Sequence, residues 1–236
     1  MSWHAKRTGS YSTDSTEFKE NVLEIYNLLN NTTYLSGRYW NYEAIVGLLC
    51  NMAWESGMNP WRYNSIGAYG LVQFYPGSYY IGGRGVGFTG YAPSTSTSAT
   101  SDGADPSDGM AQCLVVDDPY QTKYLANSTR MNKARQLNWA ILEWTSIDDY
   151  KLCDDIEQAI QAFLLFYEYP SNSITTLAQE YNNRNSYRQT IIDIIGGVDP
   201  PTPEPTPTPS PTPLPIAGSS KMIIYTNKRY RIKKRR

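Results

Sequence analysis

The sequence predicts an α+β domain that is mainly helical, with one small β-hairpin, followed by a proline-rich linker and a basic tail. Three observations carry this. Apolar residues recur at helical spacing in successive segments between residues 14 and 195. The clear strand material, Tyr69 to Tyr75 and Tyr79 to Ile81, lies in a glycine-rich neighbourhood. Between Pro200 and Pro215, nine of 16 residues are proline, a density that packed helices and sheets do not accept.

The first helix is marked by Asp14 and Glu17 at capping-box spacing, with Phe18, Val22, Ile25 and Leu29 repeating behind them and Asn30-Asn31 ending the run. A second helix is expected over about Asn41 to Ser56. A third begins near Asp117 and breaks around Ser128. Another covers roughly Lys133 to Trp144. Ile156, Ile160, Phe163, Leu164 and Tyr167 form one stripe of a helix that Pro170 stops. A last helix spans Ile174 to Ile195 and closes at Gly196-Gly197. Residues 93–109 contain no large apolar side chain and read as loop. Four regions follow: a polar lead over 1–12, the body over 13–198, a Pro/Thr-rich linker over 199–215 and a basic tail over 216–236. A proline-rich linker is extended at about 3.1 Å per residue, on the order of 50 Å here. Such a spacer separates working parts.

A chain of 236 residues with 40% hydrophobic and 18% charged side chains supports one ordinary domain with appendages and excludes wholesale disorder. One His and three scattered Cys exclude a conventional zinc site, which needs four such ligands; neither metal nor cofactor is expected. Cys50, Cys113 and Cys153 are odd in number and widely spaced, so they do not form a disulfide framework. A histidine-assisted nucleophile would have to use His4, at a terminus where chains commonly fray. Acid–base chemistry therefore falls to carboxylates.

The net charge of −1 hides an asymmetry: eight basic and no acidic residues lie between Lys221 and Arg236. An acidic body with a cationic tail points the tail, not the body, toward an anionic polymer or a protein partner. A dedicated nucleic-acid function is not expected from a basic run alone. The first residues lack the apolar stretch of a secretion signal. The longest apolar run, Ile45 to Trp54, is interrupted by Gly47 and Asn51 and is too short to span a bilayer. A soluble chain, exported by some other route if at all, is the expectation.

One residue breaks a pattern. Ile45, Leu48, Leu49 and Met52 fall on one face of the second helix, and the next position on that face is Glu55. Desolvation there raises a carboxyl pKa, and so does the negative end of the helix dipole, because Gly57 and Pro60 end the helix at this point. A carboxylic acid kept protonated near neutrality suits a general acid for glycoside cleavage. A glutamate at a helix end whose head reaches solvent fits the same spacing. The following segment, Ser65-Ile66-Gly67-Ala68-Tyr69-Gly70-Leu71-Val72-Gln73-Phe74, adds two glycines that admit a ligand close to the backbone. It also adds an amide side chain at Gln73. Tyr69, Phe74, Tyr75, Tyr79 and Tyr80 supply flat faces suited to sugar rings.

The pattern Glu55-Ser56-Gly57-x-Asn59-Pro60, then Gly67-Ala68-x-Gly70-Leu71-x-Gln73, resembles the lysozyme superfamily, as in goose-type lysozymes and soluble lytic transglycosylases. The stretch from Trp40 to Tyr80, with Gly47-Leu48-Leu49-Cys50-Asn51-Met52, is similar to phage tail-tip lysozymes, nearest to the tail-knob lysozymes of small short-tailed phages. Phe163-Leu164-Leu165-Phe166-Tyr167-Glu168-Tyr169-Pro170 resembles a later signature of that group, with Tyr169 where relatives are expected to carry a basic residue. The likeness covers about residues 14–195. It implies a lysozyme-like fold whose hairpin lies beside a cleft, with Glu55 as the catalytic acid. It implies substrate contacts from Ser65, Gly67, Tyr69, Gly70, Leu71 and Gln73, with Tyr167 near the cleft.

A second carboxylate is not evident. Glu168 is a candidate partner or support, although a solvent-facing helix end accounts for it equally. Asp117 and Asp118 are candidates whose simpler reading is capping of a helix start. With one carboxylate, either water or the muramic acid 6-hydroxyl attacks the anomeric carbon. The resemblance thus implies a peptidoglycan-cleaving muramidase of a phage tail, located in the virion and partnered by other tail proteins. Lytic transglycosylase, endolysin and a non-catalytic wall-binding module on the same scaffold stay open.

Overall fold

The computed structural model describes residues 3–6, 9–31, 39–62, 64, 68, 70–74, 79–82, 86–89, 109–117, 128–141, 147–168, 171 and 173–196. The elements run α1 (Thr16–Leu29), α2 (Tyr42–Ser56), β1 (Tyr79–Gly82), β2 (Val86–Thr89), α3 (Gly109–Val116), α4 (Ser128–Gln136), α5 (Ile147–Lys151) and α6 (Ile156–Ala162). A π-helical turn (Phe163–Glu168), α7 (Ile174–Asn185) and α8 (Arg188–Ile195) complete them. The described residues are therefore mainly helical. They belong to one unit, Met1–Asp199; the linker and tail lie outside them.

α1 buries Phe18, Val22, Ile25 and Leu29, the residues its periodicity selects. Its cap is Ser15, not Asp14: the Ser15 hydroxyl accepts the Phe18 N–H at 3.1 Å. α2 is packed on by α1, α5, α6, α7 and α8. It buries Val46, Gly47, Cys50, Asn51 and Ala53 as well as the expected stripe. It is thus a rod enclosed by other helices, not an amphipathic surface helix. At Gly47 a side chain is impossible without movement, since an added Cβ would lie 2.4 Å from the Ala159 Cβ of α6.

Other elements shift from expectation. β1 and β2 pair antiparallel, Tyr79 opposite Thr89, and α3 packs against both. Residues 71–73 are turn rather than strand, with an isolated bridge at Phe74. α3 ends where a helix was expected to begin, so Asp117 follows a C-terminus and its N–H bonds back to Cys113. Its carboxylate instead accepts Trp40 Nε1 at 2.9 Å and the buried Lys151 ammonium at 2.5 Å. This buried pair ties α3 to α5 and to the start of α2, where Asn41 N–H bonds to Lys151 O. The expected final helix is two helices. The Ser186 hydroxyl donates to Asn183 O at 2.6 Å, engaging a carbonyl of the last turn of α7.

The amino-terminal lead is not frayed in its described part. Asn21 Nδ2 donates to His4 O and Met58 O at 2.8 and 2.7 Å. Asn59 Nδ2 donates to Lys6 O and Gly9 O, both at 2.7 Å. His4 also meets Glu20. Two buried asparagines therefore strap His4, Lys6 and Gly9 across the end of α2.

Candidate active site

The end of α2 is built to stop sharply. Gly57 adopts the left-handed conformation at φ 59°. A Cβ there would also lie 2.4 Å from the Ser10 Cβ. Ser56, fully buried, returns its hydroxyl to Met52 O at 2.8 Å. These constraints fix Glu55 in the last turn of α2 with its side chain about one-fifth exposed.

The two motif segments are joined by Gln112 of α3, which sequence reasoning missed. Its Nε2 donates to Pro60 O and its Oε1 accepts the Leu71 N–H, both at 2.7 Å. Gly70, at φ 85°, is required here because a Cβ would lie 2.5 Å from that Oε1. Gly70 N–H and Gln73 Nε2 both donate to Arg62 O, at 2.8 and 3.2 Å. The turn over 70–73 is thus pinned beside the end of α2.

Between them lies a cleft of about 370 Å³ lined by Ser10, Tyr11, Ala53, Trp54, Glu55, Gly57, Arg62, Asn64, Gln73 and Tyr187. The structure brings Glu55 and Gln73 to this cleft. Leu71 is fully buried in the core instead, and Gly70 is also buried. Tyr167 stacks on Phe163 at 4.6 Å between ring centroids and is not in the cleft lining. Neither Asp117 nor Glu168 lines it. Ser65, Gly67, Tyr69 and Asp118 lie outside the described residues. Among the described residues the cleft's aromatic residues are Trp54, Tyr11 and Tyr187, and Phe74 is core.

Behind Glu55 stands a fully buried arginine, Arg184 of α7. Its Nη2 donates to Glu55 and, at 2.6 Å, to Glu168 Oε2, while Nε reaches the same Glu168 oxygen at 3.0 Å. Its Nη1 meets Glu180 at 2.5 Å. Three carboxylates therefore share one guanidinium. Burial opposes the arginine's charge, yet Glu168 and Glu55 keep it protonated. Burial pushes Glu168 up to about 8 against the pull of Arg184. Among the described residues its buried Oε1 has no hydrogen-bond partner, which further favours the neutral acid. Glu55 is also raised. Burial is the largest cause, Arg184 and Arg62 pull it down, and Glu180 pushes it up. Arg184 had a signal in the sequence: Leu177, Arg184 and Ile191 are seven apart and all fully buried. A charge continuing an apolar face is the same anomaly that singles out Glu55.

The arrangement holds a partly desolvated acid at the mouth of a polar, aromatic-edged cleft, on a scaffold of helices. That combination suits a general acid for glycoside cleavage. Residues 26–195 match the phage tail lysozyme family, and the chain belongs to it. No curated protein matches the chain. Among the described residues, no helix is long and apolar enough to cross a membrane.

Proposed function

We propose that the chain is a muramidase of a phage tail, cleaving the β-1,4 bond of peptidoglycan to open the host wall locally during infection. Glu55 is the general acid that protonates the leaving glycosidic oxygen. The observation that carries this reading is the position of the Glu55 carboxyl: it lines the cleft while burial outweighs Arg184 and keeps its pKa raised. Gln73 and Arg62, across the same cleft, contribute polar contacts to the glycan. In this reading residues 13–198 form the catalytic domain, the β1–β2 pair lies beside the cleft, and linker 199–215 with tail 216–236 connects it to other virion components.

Among the described residues Glu55 is the one carboxylate in the cleft lining. That favours a one-acid scheme and keeps a second outcome in view, attack by the muramic acid 6-hydroxyl in place of water. Glu55→Gln assayed on purified peptidoglycan tests the acid; a loss of about 10²–10⁴-fold is expected, and retained activity overturns the assignment. Mass spectrometry of the wild-type products separates reducing ends from anhydro ends.

A further inference from the structure

Trp54 is a large apolar side chain left 37% exposed, immediately before Glu55 and in the same cleft. Exposed tryptophan on a helix otherwise buried over ten consecutive positions, residues 44–53, calls for a reason. Its ring is not loose: Nε1 donates to Glu180 Oε2 at 2.9 Å, and Glu180 is itself held by Arg184. The indole is thus oriented by the cluster that supports Glu55. Tyr11 and Tyr187 line the same space, as do the hydrogen-bonding side chains of Ser10, Asn64 and Gln73. Flat apolar faces in one cleft with donors and acceptors match a pyranose, which has an apolar face and an equatorial rim of hydroxyl and amide groups.

We propose that Trp54 is the stacking platform of a sugar-binding subsite adjoining Glu55, taking one pyranose ring of an N-acetylated amino-sugar polymer. This rests on the functional reading above and names the residue that holds the substrate beside the acid. The Glu180 bond fixes the plane of the indole, so the sugar meets a pre-oriented surface and less order is lost on binding.

The test uses the full chain as Glu55→Gln, alone and combined with Trp54→Ala or Trp54→Phe. Binding to an N-acetylglucosamine hexamer is measured by calorimetry, and binding to intact sacculi by co-sedimentation. Trp54→Ala is expected to weaken both by about tenfold or more, and Trp54→Phe, which keeps a flat face, by much less. A ligand-induced change in tryptophan fluorescence is expected in the parent and lost in Trp54→Phe. Equal affinity of the parent and Trp54→Ala, with both folded by circular dichroism, overturns the subsite. If the wild-type chain releases no products from peptidoglycan, the enzymatic reading fails instead, and the two failures are read in separate assays.

Discussion

Arg184 donates to Glu55 across 129 residues of chain, and the arginine is wholly buried while the acid keeps about a fifth of its surface open. The guanidinium therefore acts on the carboxyl from behind, leaving the cleft side to solvent or substrate. It also divides its donors among Glu168 and Glu180.

Arg184→Met removes the group that pulls Glu55 down. An acid catalyst must be protonated, so activity falls as pH rises through its pKa. The alkaline limb of kcat/KM is expected to move to higher pH in this variant. Loss of one partner of a buried ion pair costs about 3–5 kcal/mol, so rates are compared well below the variant's Tm.

Glu180→Gln has the opposite sign. The Glu180 carboxylate raises Glu55, and glutamine keeps an acceptor for the Trp54 indole. The alkaline limb is expected to move to lower pH, read from the same profile. Opposed shifts in these two variants would not arise from a general loosening of the site.

Glu168 makes the stability of the fold depend on pH. Its carboxyl holds a proton up to about 8 in the folded chain, against an ordinary value of 4.5. The folded state thus binds more protons than the unfolded one between these values, and stability falls with rising pH there. The Glu168 contribution is fully present below about 4.5 and is lost by about 8. Thermal unfolding across this window should show a falling Tm in the wild type and a flatter profile in Glu168→Gln.

Gly57→Ala meets two obstacles, the left-handed backbone at φ 59° and the Ser10 Cβ. The backbone part alone is worth about 1–2 kcal/mol, and overpacking adds about 1–3 kcal/mol. Chemical denaturation should show a loss in this combined range. A Ser10→Gly companion should recover the contact part and leave the backbone part.

The helices legible in the sequence are those whose ends carry local chemistry. Gly57 stopped α2 at Ser56, and the Phe18–Leu29 repeat gave α1. Elements set by distant partners were not legible. Asp117 looked like a helix start because aspartate caps helices, but its partners are Trp40 and Lys151 from elsewhere in the chain. The α7–α8 break carries neither glycine nor proline, only the Ser186 hydroxyl. Glu55 stood out because it interrupts an apolar face. Arg184 interrupts another in the same way, and only the fold shows that the two interruptions are one contact.

The bonds of Asn21 and Asn59 couple the amino-terminal lead to the turn after Glu55. His4 is tied through Asn21 to Met58, and Lys6 and Gly9 are tied to Asn59, three and four positions past Glu55. The lead is thereby fastened to α1, in the core, and to the turn that follows Glu55 at the same time.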